Sequence, residues 1–219
     1  MSTQGLVELT VQLEHGNVPD VVVFYDGYNE TTAAYSSGRV GGPENYEGLL
    51  EYKTNSLKSI ARWVARTDLG RMLNPSARAA RPPIDAPAVA ESVVKTYGSV
   101  YRLVLALGRE YGFAVHFYWQ PQLYRDPKVL TPEEEELVAN HPWLPEPGKE
   151  LFGETYPQAR LLAQQQDGIT DISHAFTGMT DRIYLGPCHI TGAGNRRVAE
   201  VMLKSGLLVT VSQRSADAE

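Results

Sequence analysis

The chain has 219 residues, of which 42% are hydrophobic, a formal charge of −6 and a single cysteine. That is long enough to bury the core of one α/β domain, and the acidic balance argues against a nucleic-acid groove. With Cys188 alone, an intramolecular disulfide and the usual cysteine-rich metal clusters are excluded.

Residues 1–18 carry neither a basic leader nor a long apolar run, which predicts no signal peptide, no membrane span and a cytoplasmic location for the chain as written. Leu6, Val7, Leu9, Val11 and Leu13 mix helical with alternating spacing and read as the tail of a helix feeding a strand. Residues 21–25, Val-Val-Val-Phe-Tyr, are that strand, apolar on both faces, and Asp26-Gly27 breaks it into a loop that presents Asn29. Loops at the carboxyl ends of parallel strands are where open α/β sheets bind ligands. The Gly- and Ser-rich run from Thr31 to Pro43 reads as a loop. Tyr46, Leu49, Leu50, Leu57, Ile60, Trp63 and Val64 then predict a long amphipathic helix over 44–66. The proline-rich stretch 74–87 reads as a surface linker or flap that does not divide the chain. Arg62, Arg66, Arg71, Arg78 and Arg81 form a weak basic drift, a solvated helix face and its loop rather than a phosphate-binding stripe.

Val89, Val93, Tyr97, Val100, Tyr101 and Val104 predict a helix over 88–110, stopped by Gly112. Phe113 to Trp119 reads as a buried strand ended by Pro121, and strand, helix, strand implies a parallel pair with a right-handed crossover. His116, inside that run, reads as a core or edge histidine rather than a ligand. Thr131-Pro-Glu-Glu134 is a capping box with proline at the first helical position. It opens a short acidic helix whose run from Glu133 to Glu136 reads as a solvated face, and no histidine at ligand spacing makes it a metal site. A helix over 154–166 follows, in which Pro157 fits only the first turn. Gly168 to Ser173 contains a short strand leading to His174, which no clear helix start follows. Residues 212–219 read as a polar tail.

The last motif is Ile183-Tyr-Leu-Gly-Pro-Cys-His189-Ile-Thr-Gly-Ala-Gly-Asn195. A short apolar run enters a Gly-Pro turn, and Thr191, Gly192 and Gly194 open a segment in which Val198, Val201 and Met202 recur at helical spacing. His189 thus stands on a loop between regular elements, where an imidazole can take and return a proton near neutrality. Cys188 beside it reads as a small packed side chain rather than a nucleophile.

Gly27-Tyr28-Asn29 after a buried strand, with Cys188-His189-Ile-Thr-Gly-Ala-Gly-Asn195 before a final helix, resembles the SGNH (GDSL-type) hydrolases. In that family the first motif usually reads Gly-x-Asn-Asp, its Asn contributing to an oxyanion hole; the second reads Asp-x-x-His followed by Gly-Asn. The resemblance implies His189 as general base and acid, Asn29 as oxyanion donor, and Gly27 and Tyr28 as substrate contacts, with no cofactor and no metal. Here Glu30 stands in place of the family's Asp, Gly186 replaces the orienting carboxylate, and the Gly-Asp-Ser nucleophile block is nowhere in the chain. Asp181 is the nearest carboxylate earlier in the His189 segment.

The expectation is one SGNH-like domain over 1–211, a three-layer α/β/α fold with a flavodoxin-like parallel sheet, incomplete at its N-terminus. The activity implied is hydrolysis of a short acyl or acetyl ester, or of an acylated glycan, with little turnover from this chain alone. The alternative is a non-catalytic binding or scaffold protein derived from the fold. If a nucleophile strand normally covers residues 21–25, its loss predicts self-association through that edge.

Overall fold

The computed structural model describes residues 1–37, 40–41, 84–140 and 146–207. The helix expected over 44–66, most of the 74–87 linker, the basic drift and the C-terminal tail lie outside these residues. The described elements are α1 (Ser2–Glu14), β1 (Val21–Asp26), α2 (Tyr28–Ser37), α3 (Ala86–Tyr111), β2 (Ala114–Trp119), α4 (Pro132–Asn140), α5 (Glu146–Gln165), β3 (Ile169–Asp171) and α6 (Gly192–Met202). A π-turn, Leu203–Leu207, closes the series.

The three strands form one parallel sheet in the order β1-β2-β3, with Val21 opposite Ala114 and Asp26 opposite Trp119. Because side chains alternate along a strand, Phe24, Phe117 and Trp119 enter one core with Leu9 and Leu13 of α1, the apolar stripe of α3, and Leu151, Phe152 and Tyr156 of α5. Tyr118 enters a second core on the opposite face, where Val198 of α6 is buried and Tyr25, Leu137 and Val138 pack against it. Helices therefore cover both faces of a mixed α/β domain.

Local signals explain the longest helix. The Asp85 side chain accepts from Ala88 N at 3.1 Å, Pro87 stands in the first turn, and Gly112 at φ 80 takes the left-handed position that ends α3. Val93, Tyr97, Val100, Tyr101 and Val104 are its buried stripe. Each such side chain contributes roughly 1.5–3 kcal/mol when fully buried.

Three expectations are corrected. The Gly- and Ser-rich run after Asn29 is not a loop at its start, since Tyr28–Ser37 is helical. There the burial of Thr31, Ala33, Ala34 and Tyr35 overrides weak helix propensity. Pro157 lies inside α5, which begins eight residues earlier than the sequence suggested. An interior proline costs about 3 kcal/mol or more, and burial of Leu151, Phe152, Tyr156 and Ala159 around it offsets that. Glu134, read as solvated, is fully buried.

Candidate functional site at the carboxyl edge of the sheet

β1 delivers the first motif. Gly27 has φ +137, and a β-carbon there would stand 3.0 Å from the Trp119 indole, so backbone angle and space both demand glycine. α2 starts at the next residue. Glu30 caps it: one carboxylate oxygen accepts from Gly27 N at 2.9 Å and the other from Ser2 N at 2.5 Å, tying α1 to the same corner. Asn29 is exposed, in the first turn of α2 rather than on a loop. Tyr28 is half-buried and stacks on Phe152 with centroids 5.3 Å apart.

The second motif is a short closed loop. Tyr184 and Ile190 form an antiparallel bridge, Leu185 N donates to His189 O at 2.8 Å, and Thr191 N donates to Ile183 O at 2.8 Å. Pro187 O accepts from Leu123 N at 2.8 Å, which docks the loop on the segment leaving β2. Thr191 then caps α6, its side chain accepting from Gly194 N at 3.2 Å. A β-carbon on Gly194 would stand 3.0 Å from Ile183 and Ile190, so this glycine lets α6 close on the loop. His189 is exposed at the loop's end.

Three residues that the sequence did not single out for the site hold this loop in place. Glu134 accepts from Ile183 N and Tyr184 N, both at 2.8 Å, and pairs with Lys128 Nζ at 2.5 Å where both side chains are fully buried. Burial pushes its carboxyl up, but hydrogen bonds from Lys128, Tyr184, Thr131 and Ile183 outweigh that and hold it below the ordinary value. Asp126 accepts from the Tyr184 hydroxyl at 2.5 Å. The capping box marked Glu134 as the reciprocal partner of Thr131, but only the tertiary fold places the 183–184 backbone on its other oxygen.

The two motifs flank the segment that leaves β2: Tyr28 and Tyr124 both pack on Phe152, with ring centroids 5.3 and 6.1 Å away, and Leu123 N donates to Pro187 O. Burial raises the Tyr124 hydroxyl above its ordinary range, and the neighbouring Tyr28 and Cys188 add to the shift. Tyr28 and Cys188 are the chain neighbours of Asn29 and His189. Tyr25, at the end of β1, also feels Cys188, after a larger effect of burial. Among the described residues Trp119 Nε1 and Gln122 Nε2 are buried donors without an acceptor at the same edge of β2. Burial pushes the half-buried Cys188 thiol up to about 11, which keeps it protonated at neutral pH and unsuited to attack.

No family model, no curated protein and no solved structure matches the chain. The site is therefore interpreted from its own geometry. Asp181 is exposed, and among the described residues no hydrogen bond joins it to His189, which removes it as the orienting carboxylate. A β-carbon on Gly186 would lie 3.4 Å from His189 Nδ1, so the position three before the histidine faces the ring. His174 belongs to another set of contacts, hydrogen-bonded to Arg160, which also pairs with Asp171 at 3.0 Å. His116 is half-buried, stacks on Tyr118, and is held below its ordinary pKa by burial. Among the described residues no group of three or more His, Cys, Asp and Glu side chains is arranged to hold a metal ion, and no helix is long and apolar enough to cross a membrane.

Proposed function

We propose that this chain carries the base and oxyanion half of an SGNH-type serine ester hydrolase site. The observation that carries the reading is that both motifs border the segment leaving β2, Tyr28 packing on Phe152 beside Tyr124 and Pro187 O accepting from Leu123 N, with Asn29 in the first turn of the helix after β1 and His189 closing the loop before α6. The sheet order supports it, since three consecutive parallel strands with helices on both faces suit a flavodoxin-like sheet. In such a site a serine attacks a short acyl or acetyl ester, His189 takes the hydroxyl proton and returns it to the leaving alcohol, and the Asn29 amide donates to the oxyanion. The serine must come from a segment with the Gly-Asp-Ser pattern, which this sequence does not contain.

Chain alone, the expected rate of 4-nitrophenyl acetate hydrolysis is low, and His189→Ala and Asn29→Ala should each lower it about severalfold, below the 10²–10³ that an oxyanion donor is worth in a complete site. Unchanged rates in both variants would remove the assignment. A second reading, a non-catalytic protein binding an acyl or glycan ligand, is favoured by Gly186 in place of the orienting carboxylate. Its signature is an acetylated oligosaccharide that shifts the Asn29 and His189 amide resonances without being turned over.

A further inference from the structure

At the carboxyl end of β3 a cavity of about 370 Å³ opens between that strand and α5. Asp171, the last residue of β3, is the register partner of Trp119, which pairs in turn with Asp26, so the cavity lies along the same sheet edge as the candidate site. That is the edge at which open parallel sheets take their ligands. Arg160 reaches it from α5, donating from Nε to Asp171 Oδ2 at 3.0 Å and from Nη2 to His174 Nε2. Ser173 N donates to Asp171 Oδ1 at 2.9 Å, so both oxygens of that carboxylate are engaged within the protein.

The acceptor of this cluster is used up, but its donors are not. A guanidinium carries five N–H groups and no acceptor. Two of those groups are taken by Asp171 and His174, and among the described residues Arg160 makes no other hydrogen bond. Because the guanidinium can only donate, His174 Nε2 carries no proton in this pairing, and Nδ1 is the N–H of the ring. The Arg160 side chain is 44% exposed and His174 is exposed, so the remaining donors are open to a solute. Gln164 and Thr170 add an amide and a hydroxyl to the lining, and Ala163 and Ile169 give it an apolar wall.

We propose that this cavity binds the carboxylate of a small organic acid, held by the free N–H groups of Arg160 with His174 Nδ1 as a further donor. The inference stands independently of the ester-hydrolase reading. The free guanidinium N–H groups lie in one plane, a geometry that matches the two oxygens of a carboxylate. Charge selects a monoanion. Asp171 already neutralises Arg160, and these two are the only acid and base of opposite full charge among the described lining residues. A phosphate dianion would meet the Asp171 carboxylate with no second cation to offset it, in a chain whose formal charge is −6. Size selects a short acid, since ligand cavities run from about 300 to 1,000 Å³ and this one stands near the lower end. The wall of Ala163 and Ile169 suits its carbon body.

The test is an NMR titration of the full chain at pH 8 with sodium acetate, against sodium chloride at the same ionic strength. Acetate should move the Arg160 Nε–H resonance and the amides of Thr170, Asp171 and His174 along a saturating curve that chloride does not reproduce. His174→Ala, at an exposed position, should keep the fold and bind acetate severalfold more weakly. Arg160→Gln should weaken acetate by at least about tenfold. If that variant unfolds because Asp171 loses its partner, Arg160→Lys takes its place: it keeps the charge without the planar fork and should also lose about tenfold. Inorganic phosphate should bind more weakly than acetate. Tighter binding of phosphate overturns the choice of a carboxylate, and chloride shifts equal to those of acetate, or an acetate affinity unchanged in the folded Arg160 variant, overturn the site.

Discussion

At Gly186 a missing side chain separates the observed loop from one with an oriented imidazole. The backbone there is not in the left-handed region, and a β-carbon would face His189 Nδ1 at 3.4 Å. Gly186→Asp should therefore bring a carboxylate within hydrogen-bond reach of the ring. Such a carboxylate would orient the imidazole, and Gly186→Asp should raise the rate of 4-nitrophenyl acetate hydrolysis severalfold over the parent. A rate that stays where it was would show that the ring turns its other edge to residue 186. Gly27 is the opposite case, because the Trp119 indole leaves no room for a side chain there.

Among the elements, α4 does more than cover the sheet. Its first turn buries Glu134, which holds the 183–184 backbone and neutralises Lys128. Replacing one partner of a buried pair leaves the other charge uncompensated, at a cost of about 3–5 kcal/mol. Glu134→Gln should thus lose on the order of 3 kcal/mol in urea unfolding at pH 7. Because the folded carboxyl lies below its ordinary value, the parent's advantage is present above the unfolded pKa and shrinks as pH falls through the folded one. Adding Lys128→Met should recover much of the loss. A Glu134→Gln variant as stable as the parent at pH 7 would show that Lys128 finds another acceptor.

For the molecule as a whole, the corner where α1 meets β1 adds a pH dependence opposite in sign to that of Glu134. Asp26 pairs with the Met1 ammonium at 3.2 Å, yet its carboxyl is raised from 3.8 to about 6, first by burial and then by Glu30, against the lowering effect of the ammonium. The folded state therefore favours the protonated acid. That contribution is full below the unfolded pKa and is lost as pH rises through about 6. Asp26→Asn should flatten the fall in melting temperature between pH 4 and pH 8, and at pH 8 should gain on the order of 2 kcal/mol relative to the parent. Equal pH slopes for the two proteins would contradict this.

Continuous apolar runs determined β1 and β2 from sequence, helical spacing of apolar residues determined α3 and α6, and capping chemistry at Thr131 and Thr191 located two helix starts. The motifs at Gly27-Tyr28-Asn29 and at His189 were legible for the same reason: glycine, turn and cap signals are local. Tertiary packing alone decided the rest. Burial of Thr31, Ala33, Ala34 and Tyr35 made a helix from a stretch of weak propensity, and the core around Tyr156 and Ala159 carried a proline through the middle of α5. Whether Glu134 meets water or Lys128, whether Asp181 reaches His189, and which described strand pairs with β1 all depend on residues far apart in the chain. A one-dimensional pattern fixes which face of an element is apolar, but not which distant partner that face or its backbone will meet.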